Sequence, residues 1–507
     1  MNVVIAYDLG TSGLKASMFD VDTGATVGFE TVHYPTRYAA DGTAEQEPDT
    51  WWHAVGQASR SLKSRHAEIW PSLIGVGCTG MMNSALLVNR HGDPVRPAMI
   101  HADTRGTSFA QRFESDHGRA NIFDRTSNRP DCHLSLPKLM YLTQNEPQSL
   151  ESAAFAIQAK DFIVSRLTGV IGVTDPSDAS LTGAFDVVQR EWAADLWQSS
   201  GVDIRLLPRV VPSTMIVGHV TRSASDWTEL PEGLPVIMGG GDGPCATAGS
   251  GTLRGDAYLY LGGTAWMGVN ADTPCLDDRL ANYCSLDGGV TVFGTVQSAG
   301  SSVDWLWSVV GKGQKRSFAH QEFDALRVPA GSEGLFFLPY LQGERAPIWN
   351  PNARGVFFGL SPHHTAGHLY RAVIEGVAYS FSSILSIFEE TGTSIDSLRM
   401  LGTAATSELW QQVLSGVLNR SLVEMRDVSS ATSLGAAIAT SVGVGVYASV
   451  DEATRAMTQT ARTTLPSDRT VSEYRPRVSV FRELYPALKY CFESLAGLEE
   501  TFNELGA

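Results

Sequence analysis

Short apolar runs that break on glycine and a hydroxyl residue recur along the chain. Residues 3–9 are almost wholly apolar and stop at Gly10-Thr11-Ser12-Gly13, and residues 14–19 resume the run. The same order returns at 258–261, Gly262-Gly263-Thr264 and 266–269. Runs this short and apolar read as buried strands. Each set therefore predicts a strand, a tight turn and a returning strand. Glycine lets the backbone turn sharply and brings N–H groups close to an anion. The hydroxyls of Thr11, Ser12 and Thr264 add donors. Two such hairpins, one in each half, predict a grip on a polyphosphate from two sides.

The remaining pattern alternates strand and helix, which argues for α/β layers. Residues 26–34 read as a third strand, and 49–62 as a helix with Asp49 as its N-cap. Further strands are expected at 73–78, 84–88 and 154–159, with a helix at 160–167. The run 234–238 ends in Gly239-Gly240-Gly241-Asp242-Gly243-Pro244, and a helix should follow. Leu369, Val373, Val377, Phe381 and Leu385 fall on one helical face, expected to be buried. A strand at 398–401 should end at Gly402-Thr403-Ala404-Ala405 and lead into a helix over 407–418. The uncharged stretch 429–450 is long enough to span a bilayer, but Ser, Thr, Gly and Ala dominate it, which favours a buried helix.

Length and charge narrow the function. A chain of 507 residues favours at least two domains, and the division is expected near Gly251, separating 1–250 from 251–507. A net charge of −16 makes nucleic acid an unsuitable partner. Six cysteines (Cys78, Cys132, Cys245, Cys275, Cys284 and Cys491) show no regular spacing. That fits reduced thiols in a cytoplasm better than disulfides or structural zinc. The start of the chain has no basic region ahead of its apolar run, and Asp8 interrupts that run, so a signal peptide is not expected.

Several motifs compete for the chemistry. Gly75-Val76-Gly77-Cys78-Thr79-Gly80 matches the dinucleotide-binding GxGxxG, but the residues after it read as a returning strand rather than a helix. Gly241 to Ala246 matches only the looser GxGxxA. A P-loop motif and the HRD and DFG motifs of protein kinases are absent from the sequence. Asp242 ends an apolar strand among glycines. It is either a turn former or a catalytic or metal-linked carboxylate, and ligands of open α/β sheets gather at such strand ends. Asp8 has the same placement, though Asp before Gly-Thr also stabilises turns. Lys15 follows the first turn and is placed either to approach a phosphate or to sit in solvent.

In joint order, these residues resemble the FGGY family of carbohydrate kinases, its xylulokinase branch in particular. The resemblance covers nearly the whole chain. It rests on Asp8-Leu9-Gly10-Thr11-Ser12, Glu45-Gln46-Glu47-Pro48, Arg96-Pro97-Ala98, Pro137-Lys138-Leu139, Lys160-Asp161-Phe162 and Gly239-Gly240-Gly241-Asp242. In the second half it rests on the run from Phe337 to Pro347, on 355–360, on 371–379 and on Leu434-Gly435-Ala436-Ala437. The resemblance implies two domains of actin-like ATPase (ribonuclease H-like) fold around a deep cleft. The first would bind sugar and the second mainly ATP. It implies that Asp242 is the catalytic base and that Asp8, with Asp242, holds Mg²⁺, through water. Thr11 and Ser12 then belong to the first phosphate turn, with Lys15 just past it as an ATP-binding candidate from its position, and Gly262, Gly263 and Thr264 to the second. Gly300 and Asp304 fall beside the nucleotide, and Gly402, Thr403, Ala404 and Ser407 on the adenosine side. Sugar contacts fall on Met81, Met82, Asp103, Asp242 and Gly243.

The sugar-contact run departs from the xylulokinase pattern. Where that branch reads Gly-Gln-Met-His-Gly, this chain has Thr79-Gly80-Met81-Met82-Asn83; its usual Trp-Asn-Asp is His101-Ala102-Asp103. The asparagine after the aspartate is Gly243. The expected activity is transfer of the γ-phosphate of ATP to a ketose hydroxyl, with D-xylulose first among substrates. Gluconate, ribulose or a polyol is the alternative. An actin- or chaperone-like nucleotide switch is the reading from another class; it would hydrolyse ATP without needing a sugar. A cytoplasmic enzyme is expected, without membrane partners, and a homodimer is left open.

Overall fold

The computed structural model describes residues 1–310, 322 and 324–505. They form two compact units, each described separately below. The first gathers Met1–Gly255, Asn270–Val292 and Ser430–Gln459; the second gathers Asp256–Val269, Phe293–Ser429 and Thr460–Ala507. A single division near residue 251 does not describe this arrangement, since two later segments belong with the first unit.

The strand Val3–Leu9 sits centrally in the first unit's sheet. Gly13–Asp20 pairs with it antiparallel and Leu73–Gly80 parallel. Thr26–His33 extends one side of the sheet; Pro235–Ile237 and then Ile216–His219 extend the other. Val3, Ile5, Tyr7 and Leu9 enter one core with Trp51, Val55 and Phe162, while Val4 and Ala6 enter another with Ala436 and Ile438. A strand covered on both faces has no polar side to show, so it reads as a continuous apolar run. The helices Pro48–Arg65 and Ala159–Thr168 cover the first face, and Ala431–Gly443 the second. The uncharged stretch is therefore largely a core helix. It explains the GxGxxG run as well. Those residues lie inside the strand Leu73–Gly80, and a Cβ at Gly77 would fall 2.7 Å from the carbonyl oxygen of Ala436. Small residues there let the helix reach the sheet, and no dinucleotide turn is formed.

The helix expected at 49–62 begins one residue earlier and runs to Arg65. Pro48 presets the first helical φ, so Glu47 takes the N-cap position and Asp49 falls in the first turn. There its charge favours the positive helix end without capping it.

The second unit repeats the local plan. Ala257–Leu261 pairs antiparallel with Ala265–Ala271 across a glycine turn and parallel with Ser397–Leu401. Ser421–Met425 joins parallel and Thr460–Thr464 antiparallel. The helices Ala366–Glu390, Glu408–Leu418 and Asp468–Leu505 pack together beside this sheet. Val373, Val377, Phe381 and Leu385 are buried, as their spacing predicts, while Leu369, in the first turn of the helix, is half-buried. Ala366–Glu390 is the one helix among the described residues long and apolar enough to cross a membrane, and most of it is buried in protein. Asp468–Leu505 escapes sequence reading because Pro476 and Pro486 lie inside it. An interior proline costs a helix ~3 kcal/mol or more. Burial of Tyr474, Phe481, Leu484 and Phe492 offsets that cost.

Candidate active site

In the first unit the carboxyl ends of three strands converge. Asp8 lies opposite Lys15 across the hairpin and opposite Thr79 on the parallel neighbour. Gly240-Gly241 pairs with Thr79-Gly80. Asp242 follows at once, as the first residue of the helix Asp242–Gly249. Strand ends here because the triple glycine lets the chain turn, and the helix starts on a carboxylate. The Gly243 amide donates to Asp242 Oδ1 at 2.8 Å.

Both carboxylates are shifted upward. Burial lifts Asp242 to about 7; the charge of Asp8 adds to the rise and the Gly243 amide opposes it. Burial lifts Asp8 to about 6, and the positive charge of Lys15 pulls it down. Two carboxyl groups held in the neutral range beside one lysine make a site that can give or take a proton near neutrality. They also fit a hard divalent cation, whose charge would relieve their repulsion and whose preferred ligands are oxygens.

The first glycine turn is held from behind. Tyr34 Oη donates to Gly10 O at 2.6 Å, Gln46 Nε2 to Thr11 O at 2.6 Å, and Thr36 Oγ1 to Thr11 O at 3.2 Å. The His33 ring nitrogen lies 3.1 Å from Ser12 O. Met81 donates its amide to Leu9 O at 2.9 Å. Met82 is buried with its side chain packed on Gly241: a Cβ there would come within 2.4 Å of Met82 Cγ. The structure thus brings Asp8, Lys15, Met81, Met82, Asp242 and Gly243 to one end of one sheet. Asp103 stands apart from them in its bonding. It is fully buried, accepts from the Ala44 amide and is gripped by Arg105, which also pairs with Glu45. These bonds tie its carboxylate to the 44–46 strand.

In the second unit another group of the expected residues lines a cavity of about 250 Å³: Gly262, Gly263, Gly300, Asp304, Thr403 and Ala404, closed by Trp410. The carbonyl of Gly262 accepts from the Gly300 amide at 2.9 Å, and that of Gly263 from the Ala299 amide at 2.8 Å. Thr264 Oγ1 donates to Gln297 O at 3.1 Å. Gly402 turns beneath Leu261 with φ 87°. Ser407 is the N-cap of Glu408–Leu418, accepting from the Trp410 amide at 3.2 Å, and it donates to Glu322 Oε1 at 2.5 Å.

Two groups went unassigned in the sequence reading. Glu344 is buried and accepts from the Gln297 and Arg345 amides, each at 2.7 Å; burial pushes it up to about 8. It supports the segment that takes the Thr264 hydroxyl. Lys160 is fully buried among Asp161, Asp175 and Asp178. The signal for this second group was visible: Asp175-Pro176 is an N-cap followed by an N1 proline.

Comparison with known proteins identifies the family. The model of the FGGY family of carbohydrate kinases, N-terminal domain, matches residues 3–249, and that of the C-terminal domain matches 257–444. A xylulose kinase from Lactococcus lactis is 28% identical over 96% of this chain and 97% of its own length. A gluconokinase from Bacillus subtilis is 27% identical over 97% of each. The crystal structure of a xylulose kinase from Rhodospirillum rubrum superposes with a TM-score of 0.89 at 27% identity, covering 97% of this chain and all of that one. Its actin-like ATPase fold is the fold seen here. With both family models matched and most of the chain covered, this protein belongs to the FGGY family of carbohydrate kinases.

Proposed function

We propose that this sugar phosphotransferase transfers the γ-phosphate of ATP to a hydroxyl of a ketose, with D-xylulose as the first candidate. The observation that carries the reading is Asp242, a carboxylate at a strand end with its pKa lifted to about 7 beside Asp8. A base poised near the working pH takes a hydroxyl proton most effectively, a contribution of roughly 10²–10⁴-fold. In this reading Asp242 accepts the proton of the attacking hydroxyl, and Met81, Met82 and Gly243 border the sugar. The amides and hydroxyls of Thr11 and Ser12, with Lys15, donate to the phosphates. Gly262, Gly263 and Thr264 form the second phosphate turn; Gly300, Asp304, Gly402, Thr403, Ala404 and Ser407 surround the rest of the nucleotide. The first unit then acts as the sugar-binding domain and the second as the ATP-binding domain, in place of a simple division into 1–250 and 251–507. Asp8 and Asp242 are the residues that would hold Mg²⁺. When bound, it would neutralise charge on the transferring phosphate.

Gluconate is the second reading. Gluconokinases stand among the relatives at an identity similar to that of the xylulose kinases. Met82 also replaces a histidine of the xylulokinase pattern, and a thioether is at best a weak acceptor for a sugar hydroxyl. The test is ADP release measured over a panel of ketoses, polyols and sugar acids, each against water alone. D-Xylulose giving the highest kcat/KM supports the first reading, and a sugar acid giving it supports the second. ATP turnover that no sugar accelerates refutes both. Asp242→Asn should lower kcat about 10²-fold or more while ATP still binds; a loss under about threefold removes Asp242 from the base role.

A further inference from the structure

The buried cluster around Lys160 ends on the backbone beside Asp242. Lys160 Nζ lies 2.7 Å from Asp161 Oδ1, 2.9 Å from Asp175 Oδ1 and 3.0 Å from Asp178 Oδ2. All four side chains are at most 1% exposed. One cation faces three acids. Burial alone would discharge Lys160, but the carboxylates hold it charged, and burial pushes Asp178 well above the usual carboxylate range.

Asp175 connects this cluster to the site. It is the N-cap of the short helix Pro176–Ser180. Its Oδ2 accepts from Ser177 Oγ at 2.6 Å and from Ser213 Oγ at 2.7 Å. A hydroxyl has one hydrogen, and Ser177 donates its own to Asp175. That leaves the oxygen lone pairs of Ser177 facing away, and one of them accepts the amide of Gly241 at 3.0 Å. Gly241 is the residue immediately before Asp242. The strand that delivers Asp242 is only two residues long, Gly240-Gly241, and pairs with Thr79-Gly80 alone. So short a ladder fixes a peptide plane weakly, and glycine adds no side chain to hold it.

We propose that Ser177, aligned by Asp175 and Lys160, is a positioning residue for Asp242: it fixes the Gly241 peptide and so the direction in which the next carboxylate is presented. This rests on Asp242 being the base. Ser177 touches no reacting atom; it acts through Gly241. Ser213 is the internal comparison. It donates to the same oxygen of Asp175 at nearly the same distance, and its hydroxyl makes no bond to Gly241.

The test is steady-state kinetics of Ser177→Ala, Ser213→Ala and Asp242→Asn, and of Ser177→Ala combined with Asp242→Asn, using ATP and the preferred sugar from the panel. Misplacement of a reacting group by a fraction of an ångström to 1 Å costs up to about 10²-fold. Ser177→Ala should therefore lose kcat about 10-fold or more, with both KM values within about threefold. Ser213→Ala should stay within about threefold of wild type in kcat, and Ser177→Ala should add nothing in the Asp242→Asn background. Ser177→Cys keeps the side-chain size with a weaker acceptor; it should also lose kcat, and it serves if the alanine variant does not fold. The proposal is overturned if the Ser177 variants keep wild-type kcat. It is equally overturned if Ser213→Ala loses as much, or if the losses at Ser177 and Asp242 multiply. A harmless Ser177→Ala beside an inactive Asp242→Asn defeats this proposal alone. A fully active Asp242→Asn defeats the base assignment on which it stands.

Discussion

The two glycine turns have the same outline and different supports. At Gly10-Thr11-Ser12 the backbone carbonyls are tied mainly by side chains: Tyr34, Thr36 and Gln46, with the His33 ring alongside. At Gly262-Gly263 they are tied mainly by main-chain amides of Ala299, Gly300 and Ser301. A turn held by side chains can be loosened one bond at a time. A turn held by backbone changes only when the backbone itself is displaced. The strands that feed them differ too. Two residues before Gly10 stands Asp8; two before Gly262 stands Tyr260, stacked on Trp266 with ring centroids 3.9 Å apart. Negative charge is thus concentrated at the first turn, and the second is braced by aromatic packing.

The largest effect should come from breaking the backbone-held turn. A Cβ on Gly300 would sit 2.7 Å from Gly262 O, and real Cβ atoms do not approach a carbonyl oxygen so closely. Gly300→Ala must therefore displace the turn that borders the 250 Å³ cavity. We expect kcat/KM for ATP to fall about 10²-fold, the scale of a 1 Å misplacement, while the first unit's melting behaviour stays unchanged. A loss under about threefold would mean that the second turn yields as easily as the first.

The side-chain-held turn should give way by smaller steps. Tyr34→Phe removes a side-chain donor to Gly10 O, a neutral hydrogen bond worth about 1 kcal/mol. That corresponds to a fall in kcat/KM for ATP of about fivefold. Gln46→Leu should cost somewhat more, because Gln46 also donates to Thr36 and accepts from Trp51. If Tyr34→Phe proved as damaging as Gly300→Ala, the contrast between the two supports would not hold.

Legibility in the sequence followed the same division. Both hairpins, the strand before Asp242 and the buried face of Ala366–Glu390 were readable, because buried strands and amphipathic helices leave periodic patterns. The expected helix at 407–418 became Glu408–Leu418 with Ser407 as its cap. Partners remote in sequence were not readable. The Ser177 hydroxyl meets the Gly241 amide across 64 residues, and no local pattern records that. Asp103 is similar: its ties to Arg105 and to the Ala44 amide depend on where strand 44–46 lies.

The smallest effect is the pH dependence, and it tests the electrostatic side of the comparison. Asp242 acts as a base only when ionised, so kcat/KM for the sugar should rise with pH through about 7. Burial is the main cause of that raised value and Asp8 the next. Asp8→Asn should therefore move the inflection to lower pH, even where lost cation binding lowers the rate itself. Tyr260→Phe at the second turn should leave the inflection in place. The same shifts bear on stability. Both carboxylates have folded values above their ordinary ones, so the neutral form favours the fold. The stabilisation is complete below about pH 4 and is lost as pH rises through about 6 for Asp8 and about 7 for Asp242. Both groups are part-exposed, and solvent screening reduces the cost to about 1 kcal/mol. The ligand-free enzyme should therefore lose about 1–2 °C in Tm between pH 5 and 8 from these two groups. Asp242→Asn and Asp8→Asn should each flatten that slope and melt higher than wild type at pH 8. Equal slopes in wild type and both variants would mean that the charge gathered at the first turn carries no strain.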